Sequence, residues 1–218
     1  MRTLARAIDA GCSNLKRSLD DYYWPALGAN EISERNISFY TAAALAACGF
    51  RVFAEPNFSP LRTRKKTTGR RRRSIRHRRL DFLALSKDRR YRIVVEAKRF
   101  YSAGKATEIA IDIGRMRRFR LLKKWTHTYH LVGKRTPTHG LIVATTWQRN
   151  YMEWWCKPSM RGPTRLRGGA PAKPWKRLCK CLSVASVASW AAELSSNPTS
   201  EDENRRQQYA LIALFKFL

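Results

Sequence analysis

Two apolar runs separated by a short polar segment predict a β-hairpin near the middle of the chain. The first run extends from Leu80 to Ser86, and the second, rich in β-branched residues, extends from Tyr91 to Lys98. A tight turn in the polar segment 87–90 places Asp81 directly opposite Glu96. The register therefore brings two carboxylates together across the hairpin.

Side-chain alternation gives this hairpin two apolar faces, one of which also carries charge. Asp81, Glu96 and Lys98 share that face with Leu83 and Val94. The other face holds only apolar side chains: Phe82, Ala84, Ile93, Val95 and Ala97. Apolar side chains on both faces are typical of strands that are covered on both sides. Burying charge there is costly unless something compensates it, so we expect a divalent cation beside the carboxylates.

The other periodic segments predict helices that alternate with further strands. The predicted helices are 3–23, 31–48, 102–125, 183–194 and 200–218, and the predicted strands are 51–58 and 139–147. Gly49 is placed to end the second helix. The last helix is expected to dock on the body or to pair with a second copy, which makes a homodimer one possible assembly.

The helix predicted over residues 31–48 carries a carboxylate on its buried side. Glu34 lies one turn before Ile37, on the same stripe. The alternative interpretation is an acid placed in the first turn, where the helix dipole favours negative charge. Glu31 and Glu55 are the other acids that can take its place in a site with Asp81 and Glu96.

The net charge indicates a polyanionic partner. The 218 residues include 44 Lys and Arg against 16 Asp and Glu, a formal charge of +28. A protein this basic associates with polyanions. Nucleic acid is the expected partner, and an anionic membrane surface is the alternative. No apolar run approaches the roughly 20 residues that span a bilayer, so no membrane insertion is expected.

The basic charge is concentrated in an insertion and in one helix. Residues 59–79 contain no acid and eleven Lys or Arg between Arg62 and Arg79. We interpret this insertion as an arm that follows phosphates, the alternative being a solvated charge run. The expected nucleic-acid-binding residues are Arg64, Lys65, Lys66, Arg70, Arg71, Arg72 and Arg73 in the insertion and Arg117 and Arg118 in the helix 102–125.

Aromatic and basic side chains are mixed in residues 148–180. This combination suits single strands or distorted duplexes, where rings stack on bases. The alternative is a surface loop whose rings cover the core. We assign Trp154 and Trp155 to the core and leave Trp175 open between the two roles.

The five cysteines are odd in number and lack the spacing of a disulfide framework, which predicts reduced thiols in a cytoplasmic protein. A zinc site built from Cys156, Cys179 and Cys181 is a less favoured interpretation, because their spacing is not that of a CxxC pair.

The order of these elements and their acids resembles the PD-(D/E)XK nucleases, the restriction-endonuclease-like superfamily. Asp81 is followed, after fourteen intervening residues, by Glu96-Ala97-Lys98. Glu34 resembles the acid that many members carry in the preceding helix.

The resemblance covers about residues 31–147 and has one departure, since Leu80 stands where the signature has proline. It implies an α/β protein with a restriction-endonuclease-like core, a central mixed β-sheet flanked by helices, and additional N- and C-terminal helices. We expect one domain, with an N-terminal extension at 1–30, the catalytic core at 31–147, and a basic, aromatic loop with C-terminal helices at 148–218.

The resemblance also implies a metal-dependent phosphodiesterase that cleaves nucleic acid, with DNA favoured over RNA. Asp81, Glu96 and the backbone carbonyl of Ala97 are expected to hold Mg²⁺ or Mn²⁺, which prefer hard oxygen ligands. Lys98 is expected to orient the attacking water or to stabilise the phosphate charge. Glu34 is expected to serve a second metal or its water.

Two alternatives stay open. One is a nucleic-acid-binding protein on the same fold without catalysis. The other is a purely structural ion pair between Lys98 and Asp81 or Glu96.

Overall fold

The computed structural model describes residues 2–22, 32–54, 57–58, 78–88, 91–119, 137–163, 173–194 and 207–217. These residues form an α/β fold in which a mixed six-stranded sheet is flanked by helices.

The six strands of the sheet are β1 (Phe50–Ala54), β4 (Phe82–Ser86), β5 (Arg92–Arg99), β6 (Thr138–Thr146), β7 (Ser186–Glu193) and β8 (Tyr209–Phe217). Their order across the sheet is β1-β4-β5-β6-β8-β7. Only β5 and β6 pair in parallel, and the other neighbours are antiparallel. The prediction of a central mixed sheet is therefore confirmed.

The register predicted for the hairpin is confirmed in β4 and β5. Phe82 pairs with Val95, and Leu83 pairs with Val94. The same register, continued by one residue, sets Asp81 opposite Glu96. The two carboxylates consequently meet where β4 begins and β5 approaches its end.

Helices cover both faces of the sheet, as the two apolar faces of the hairpin predict. They are α1 (Arg2–Tyr22), α2 (Glu34–Ala47), α3 (Ala103–Phe119), α4 (Arg149–Cys156) and α5 (Lys173–Lys180), which continues into a π-helical turn, Cys181–Ala185. The first two pack on the face of Phe82 and Val95, and the other three pack on the face of Leu83 and Val94. Among the described helices, none has the length and apolar character needed to cross a membrane.

Local signals fix the ends of α2 and so the position of Glu34. The Ser33 side chain accepts a hydrogen bond from the Asn36 amide at 3.2 Å and caps the helix. Glu34 is then the first helical residue. At the other end, Gly49 adopts a φ of 87°, the left-handed conformation that glycine tolerates best.

The two helices predicted at the C-terminal end are wrong. Within 183–194 only the end of the π-helical turn is helical, and the rest belongs to β7. Within 200–218, the described part is strand β8, which lies between β6 and β7 and is buried along almost its whole length. A short apolar run reads equally well as a buried helix or a buried strand, and pairing on both sides decides for the strand. The residues expected to pair with a second copy are thus inside this sheet.

The tryptophans of residues 148–180 belong to the core. Trp154 and Trp155 are buried in α4, as predicted, and Trp175 in α5 is buried with them. Phe100 at the end of β5 contacts all three rings, with centroids 5.4–6.0 Å apart. The aromatic cluster therefore fixes α4 and α5 to the site-bearing strand.

Two short paired strands hold the two ends of the basic insertion together. Strand β2 (Asn57–Phe58) pairs antiparallel with β3 (Arg78–Arg79), so the chain leaves and re-enters the body as a two-stranded ribbon. The expected binding residues of the insertion lie outside the described residues: Arg64, Lys65, Lys66, Arg70, Arg71, Arg72 and Arg73.

Alanine substitutions at two helical glycines are predicted to have opposite effects, because Gly11 packs closely against a second helix and Gly114 does not. A Cβ added at Gly11 would lie 3.0 Å from the Tyr40 carbonyl oxygen and 3.1 Å from the Ala44 Cβ, so α1 must shift away from α2. A Cβ at Gly114 of α3 meets no atom within 4 Å. We expect Gly11→Ala to lower the free energy of unfolding by about 1 kcal/mol. We expect Gly114→Ala to raise it by roughly 0.5–1 kcal/mol.

Urea unfolding of both variants and of the wild-type protein measures this difference. A Gly11→Ala protein as stable as the wild type would contradict the close approach of the two helices.

Candidate active site

The site is built where β5 ends, around a buried carboxylate. Glu96 is only 1% exposed. Its side chain and that of Lys98 point to the face covered by α3, because both residues lie an even number of positions from Val94 along the strand. Two of the predicted catalytic residues are therefore adjacent, with Lys98 Nζ 3.5 Å from Glu96 Oε2.

Asp81 is held beside Glu96 by the main chain of β5. Its Oδ2 atom accepts a hydrogen bond from the Ala97 amide at 2.5 Å. This contact fixes the carboxylate at the point that the hairpin register predicts. It also places Asp81 next to Ala97, whose carbonyl is the predicted third metal ligand.

Two residues of α3 that are not among the predicted site residues complete the cluster. Asp112 is buried, with Oδ2 3.3 Å from Lys98 Nζ and Oδ1 2.9 Å from Arg115 Nη2. Arg115 also donates a hydrogen bond to Glu96 Oε1. A signal for Asp112 exists in the sequence: it lies three residues after Ile109 and four before Met116, on the buried stripe of the helix.

Glu34 reaches the same strand end from α2 on the other side of the sheet. Its Oε1 atom accepts a hydrogen bond from the Arg99 amide at 3.0 Å. The carboxylate raises the pKa values of both Asp81 and Lys98, which shows that it lies within electrostatic range of them. Glu34 therefore belongs to the cluster, whereas Glu31 and Glu55 lie outside the described residues.

Negative charge exceeds positive charge in this carboxylate site, which we define as Glu34, Asp81, Glu96, Lys98, Asp112 and Arg115. Burial raises the pKa of Glu96, and Asp112 and Asp81 raise it further. Lys98 and Arg115 act in the opposite direction, yet the pKa of Glu96 still reaches about 8.

The pKa values of Asp81 and Lys98 also reflect burial and the surrounding charges. Burial raises the pKa of Asp81, although the Ala97 amide and Lys98 lower it. For Lys98, burial by itself lowers the pKa, but the surrounding carboxylates outweigh burial and raise it. The two cations thus leave the carboxylates only partly neutralised.

The chemistry of the donors suits a hard divalent cation. Asp81, Glu96 and the Ala97 carbonyl offer oxygen atoms, and Mg²⁺ is usually held by one or two carboxylates together with water and substrate oxygens. Among the described residues, no three His, Cys, Asp or Glu side chains form a metal-binding group, and this includes Cys156, Cys179 and Cys181. All five cysteines are free thiols. Any cation here would therefore depend on two carboxylates and the main chain.

Two predicted nucleic-acid-binding residues lie on α3. Arg117 is exposed and lies near Cys181; burial raises the pKa of the Cys181 thiol, and Arg177 and Arg117 oppose this effect. The backbone of Arg118 belongs to the last turn of the helix, and its side chain lies outside the described part. Arg115, in contrast, turns inward and contacts Glu96 and Asp112.

Comparisons with known protein families, with characterised proteins and with solved structures found no match for this chain. The function of the protein is therefore inferred from the geometry of the carboxylate site and from the helices and strands around it.

The raised pKa of Glu96 predicts how stability changes with pH when no metal is present. A carboxyl group whose pKa rises from 4.5 to about 8 on folding stabilises the fold fully below pH 4.5, and this contribution is lost as the pH rises through 8. We expect Glu96→Gln to remove this loss. The free energy of unfolding of Glu96→Gln minus that of the wild type should therefore increase by on the order of a few kcal/mol from pH 6 to pH 9.

Urea unfolding in EDTA at the two pH values tests this expectation. Glu153→Gln is the matched control, because Glu153 is exposed and pairs with Arg149 on the surface. If the stability of Glu96→Gln changed with pH in the same way as that of the wild type across this range, the raised pKa of Glu96 would be contradicted.

Proposed function

We propose that the protein is a metal-dependent nuclease that hydrolyses phosphodiester bonds, with DNA as the favoured substrate. One observation carries this proposal: four carboxylates, Glu34, Asp81, Glu96 and Asp112, gather around only two cations, Lys98 and Arg115, at the end of a strand. Glu96 and Asp112 are buried, and Glu34 and Asp81 are half-buried. A structural network of ion pairs needs one carboxylate for each cation, so a surplus of two carboxylates is typical of a site that receives an additional cation.

The element order supports the same proposal. Helix α2, strands β1, β4 and β5, helix α3 and strand β6 follow each other along the chain and bring the motif residues together. This is the order on which the resemblance to the PD-(D/E)XK nucleases depends. A restriction-endonuclease-like core is therefore the fold that we propose for residues 31–147.

Asp81 and Glu96, with the Ala97 carbonyl, would hold Mg²⁺ or Mn²⁺. The bound ion would neutralise phosphate charge and increase the acidity of a water molecule. Glu96 must lose its proton to serve as a ligand, since its pKa is about 8 without metal.

Lys98 has the chemistry to contact the reacting phosphate. Its side chain remains 16% exposed, whereas that of Glu96 is 2% exposed. An ammonium group between Glu96 and Asp112 has a fixed position and stays charged, because the carboxylates raise its pKa. Lys98 is therefore suited to stabilise negative charge on the phosphate or to orient the attacking water.

The second candidate is a nucleic-acid-binding protein that uses the same surface without cleaving. A specific observation favours it: both oxygens of Glu96 already have partners, Arg115 at Oε1 and Lys98 at Oε2. Metal binding at Glu96 must then use the remaining lone pairs or replace one of these cations. This candidate predicts salt-sensitive binding without cleavage under any metal condition.

Incubation of the purified protein with supercoiled plasmid, and separately with RNA, distinguishes the two candidates. Each substrate is tested with Mg²⁺, with Mn²⁺ and with EDTA. The nuclease proposal expects cleavage that EDTA abolishes. Binding without cleavage in both metals would favour the second candidate instead.

Removing the side chain of Glu96 or of Lys98 should abolish cleavage. We expect Glu96→Ala and Lys98→Ala each to reduce the cleavage rate by roughly 100-fold or more, because each removes charge stabilisation at the reacting phosphate. Lys105→Ala is the matched control, since Lys105 pairs with the exposed Glu108 on the first turns of α3.

Plasmid cleavage rates, together with thermal melts and salt-dependent binding of the same samples, provide the measurement. The proposal is abandoned if purified Glu96→Ala still cleaves at the wild-type rate.

Asp112 should act as a positioning residue for Lys98. We expect Asp112→Asn to reduce the cleavage rate by about 10- to 100-fold, the range typical of groups that orient a ligand or catalytic residue. Because Asp112 raises the pKa of Glu96, its loss should move the acidic limb of the pH–rate profile to lower pH.

Cleavage rates measured from pH 6 to pH 10 in Mg²⁺ test this role. An unshifted profile with a uniformly lower rate would indicate that Asp112 contributes only to the stability of the fold.

A further inference from the structure

Two aromatic rings and one guanidinium group lie close together at the ends of β5 and β6, beside the carboxylate site. The rings of Tyr101 and Trp147 stack with centroids 5.2 Å apart and planes inclined by 27°. The Arg99 guanidinium carbon lies 5.6 Å from the centroid of the Tyr101 ring. We define Arg99, Tyr101 and Trp147 as the stacking platform.

The fold holds this platform in place before any ligand binds. The Phe100 amide donates a hydrogen bond to the Thr145 carbonyl at 2.8 Å, which continues the parallel ladder past the end of β5. The Gln148 side-chain amide donates to the Tyr101 carbonyl at 3.4 Å. Phe100, between Arg99 and Tyr101, is fully buried against the aromatic cluster. The two ring-bearing segments are therefore tied to each other and to the core.

The platform is connected directly to the carboxylate site. Arg99 follows Lys98 in the chain, and its amide donates the hydrogen bond that Glu34 accepts. Because three residues span at most roughly 11 Å even when the chain is fully extended, Tyr101 lies within that distance of Lys98. A base attached to a nucleotide next to the reacting phosphate can span a separation of this order.

The platform differs in exposure from the tryptophans of the core. Trp154, Trp155 and Trp175 are buried in the core, so none of them can accept a base. Tyr101 and Trp147 are only half-buried. The Tyr101–Trp147 ring pair offers a nucleobase π-stacking, and the neighbouring Arg99 guanidinium offers a cation–π contact.

We propose that the stacking platform binds an unpaired nucleobase next to the phosphodiester bond held at the carboxylate site. This inference rests on the proposed function and specifies its substrate class. Bases inside a duplex already stack on their neighbours, whereas unpaired bases expose a face that an aromatic ring can cover. The substrate is therefore a nucleic acid that is single-stranded at the cleavage point.

Binding measured in EDTA tests the platform without any cleavage. The probes are a fluorescein-labelled oligothymidylate and a blunt duplex of the same length, followed by fluorescence anisotropy with the full chain. We expect Tyr101→Leu and Trp147→Leu to weaken oligothymidylate binding by roughly 5- to 100-fold, because each removes a stacking surface. Duplex binding should be unchanged, since its main contribution is electrostatic.

Conservative and control variants separate stacking from folding. Tyr101→Phe and Trp147→Phe keep a ring and should retain most of the oligothymidylate affinity. Tyr91→Leu is the matched control, because Tyr91 is an exposed aromatic residue just before the opposite end of β5. The inference is overturned if the Leu variants bind both probes as tightly as the wild type, or lose affinity for both equally.

A measurement on the wild-type protein does not depend on how the variants fold. Oligothymidylate containing 5-iodouracil, irradiated in the complex, should crosslink to Tyr101 or to Trp147, as located by peptide mass spectrometry. Crosslinks confined to other residues would overturn the inference. A different result would contradict the proposed function alone: neither Mg²⁺ nor Mn²⁺ supports cleavage, while the crosslink and the ring-dependent binding persist.

Discussion

The structure around the carboxylate site depends on the cost of placing charge in a sheet that helices cover on both faces. Glu96 lies in the middle layer of this fold, where water reaches it poorly. Its carboxyl group is tolerated because Lys98 and Arg115 contact it, and because part of its charge is removed by a bound proton at neutral pH. Each partner has its own carboxylate neighbours, so the charges form one coupled network.

This constraint connects elements that are distant in the sequence. Helix α2 supplies Glu34 from one face of the sheet, α3 supplies Asp112 and Arg115 from the other, and the hairpin supplies the central residues. No single element can bury its charged side chain without the others. The network therefore couples the packing of both helical layers to the same strand end, which is also where β5 and β6 present the stacking platform.

Much of the site could be predicted from the sequence because strand geometry is regular. The hairpin register, the two-sided burial and the pairing of Asp81 with Glu96 all follow from alternation with a period of two. The contribution of α3 could not be fixed in the same way, because a buried-stripe acid such as Asp112 does not reveal which strand residue it faces. The C-terminal strands were mistaken for helices because short apolar runs lack a distinctive period, and only pairing with a distant strand determines their state.

The place of β8 in the sheet has a consequence for how the chain folds. This strand comes last among the described elements, yet it lies in the interior of the sheet and joins β6 to β7. Until it is added, β6 has an open edge along nine buried residues, and β7 has no partner among the described strands. An open apolar edge of this kind readily pairs with other chains. The interval between formation of the hairpin and insertion of β8 is thus when a newly made molecule is most exposed to aggregation.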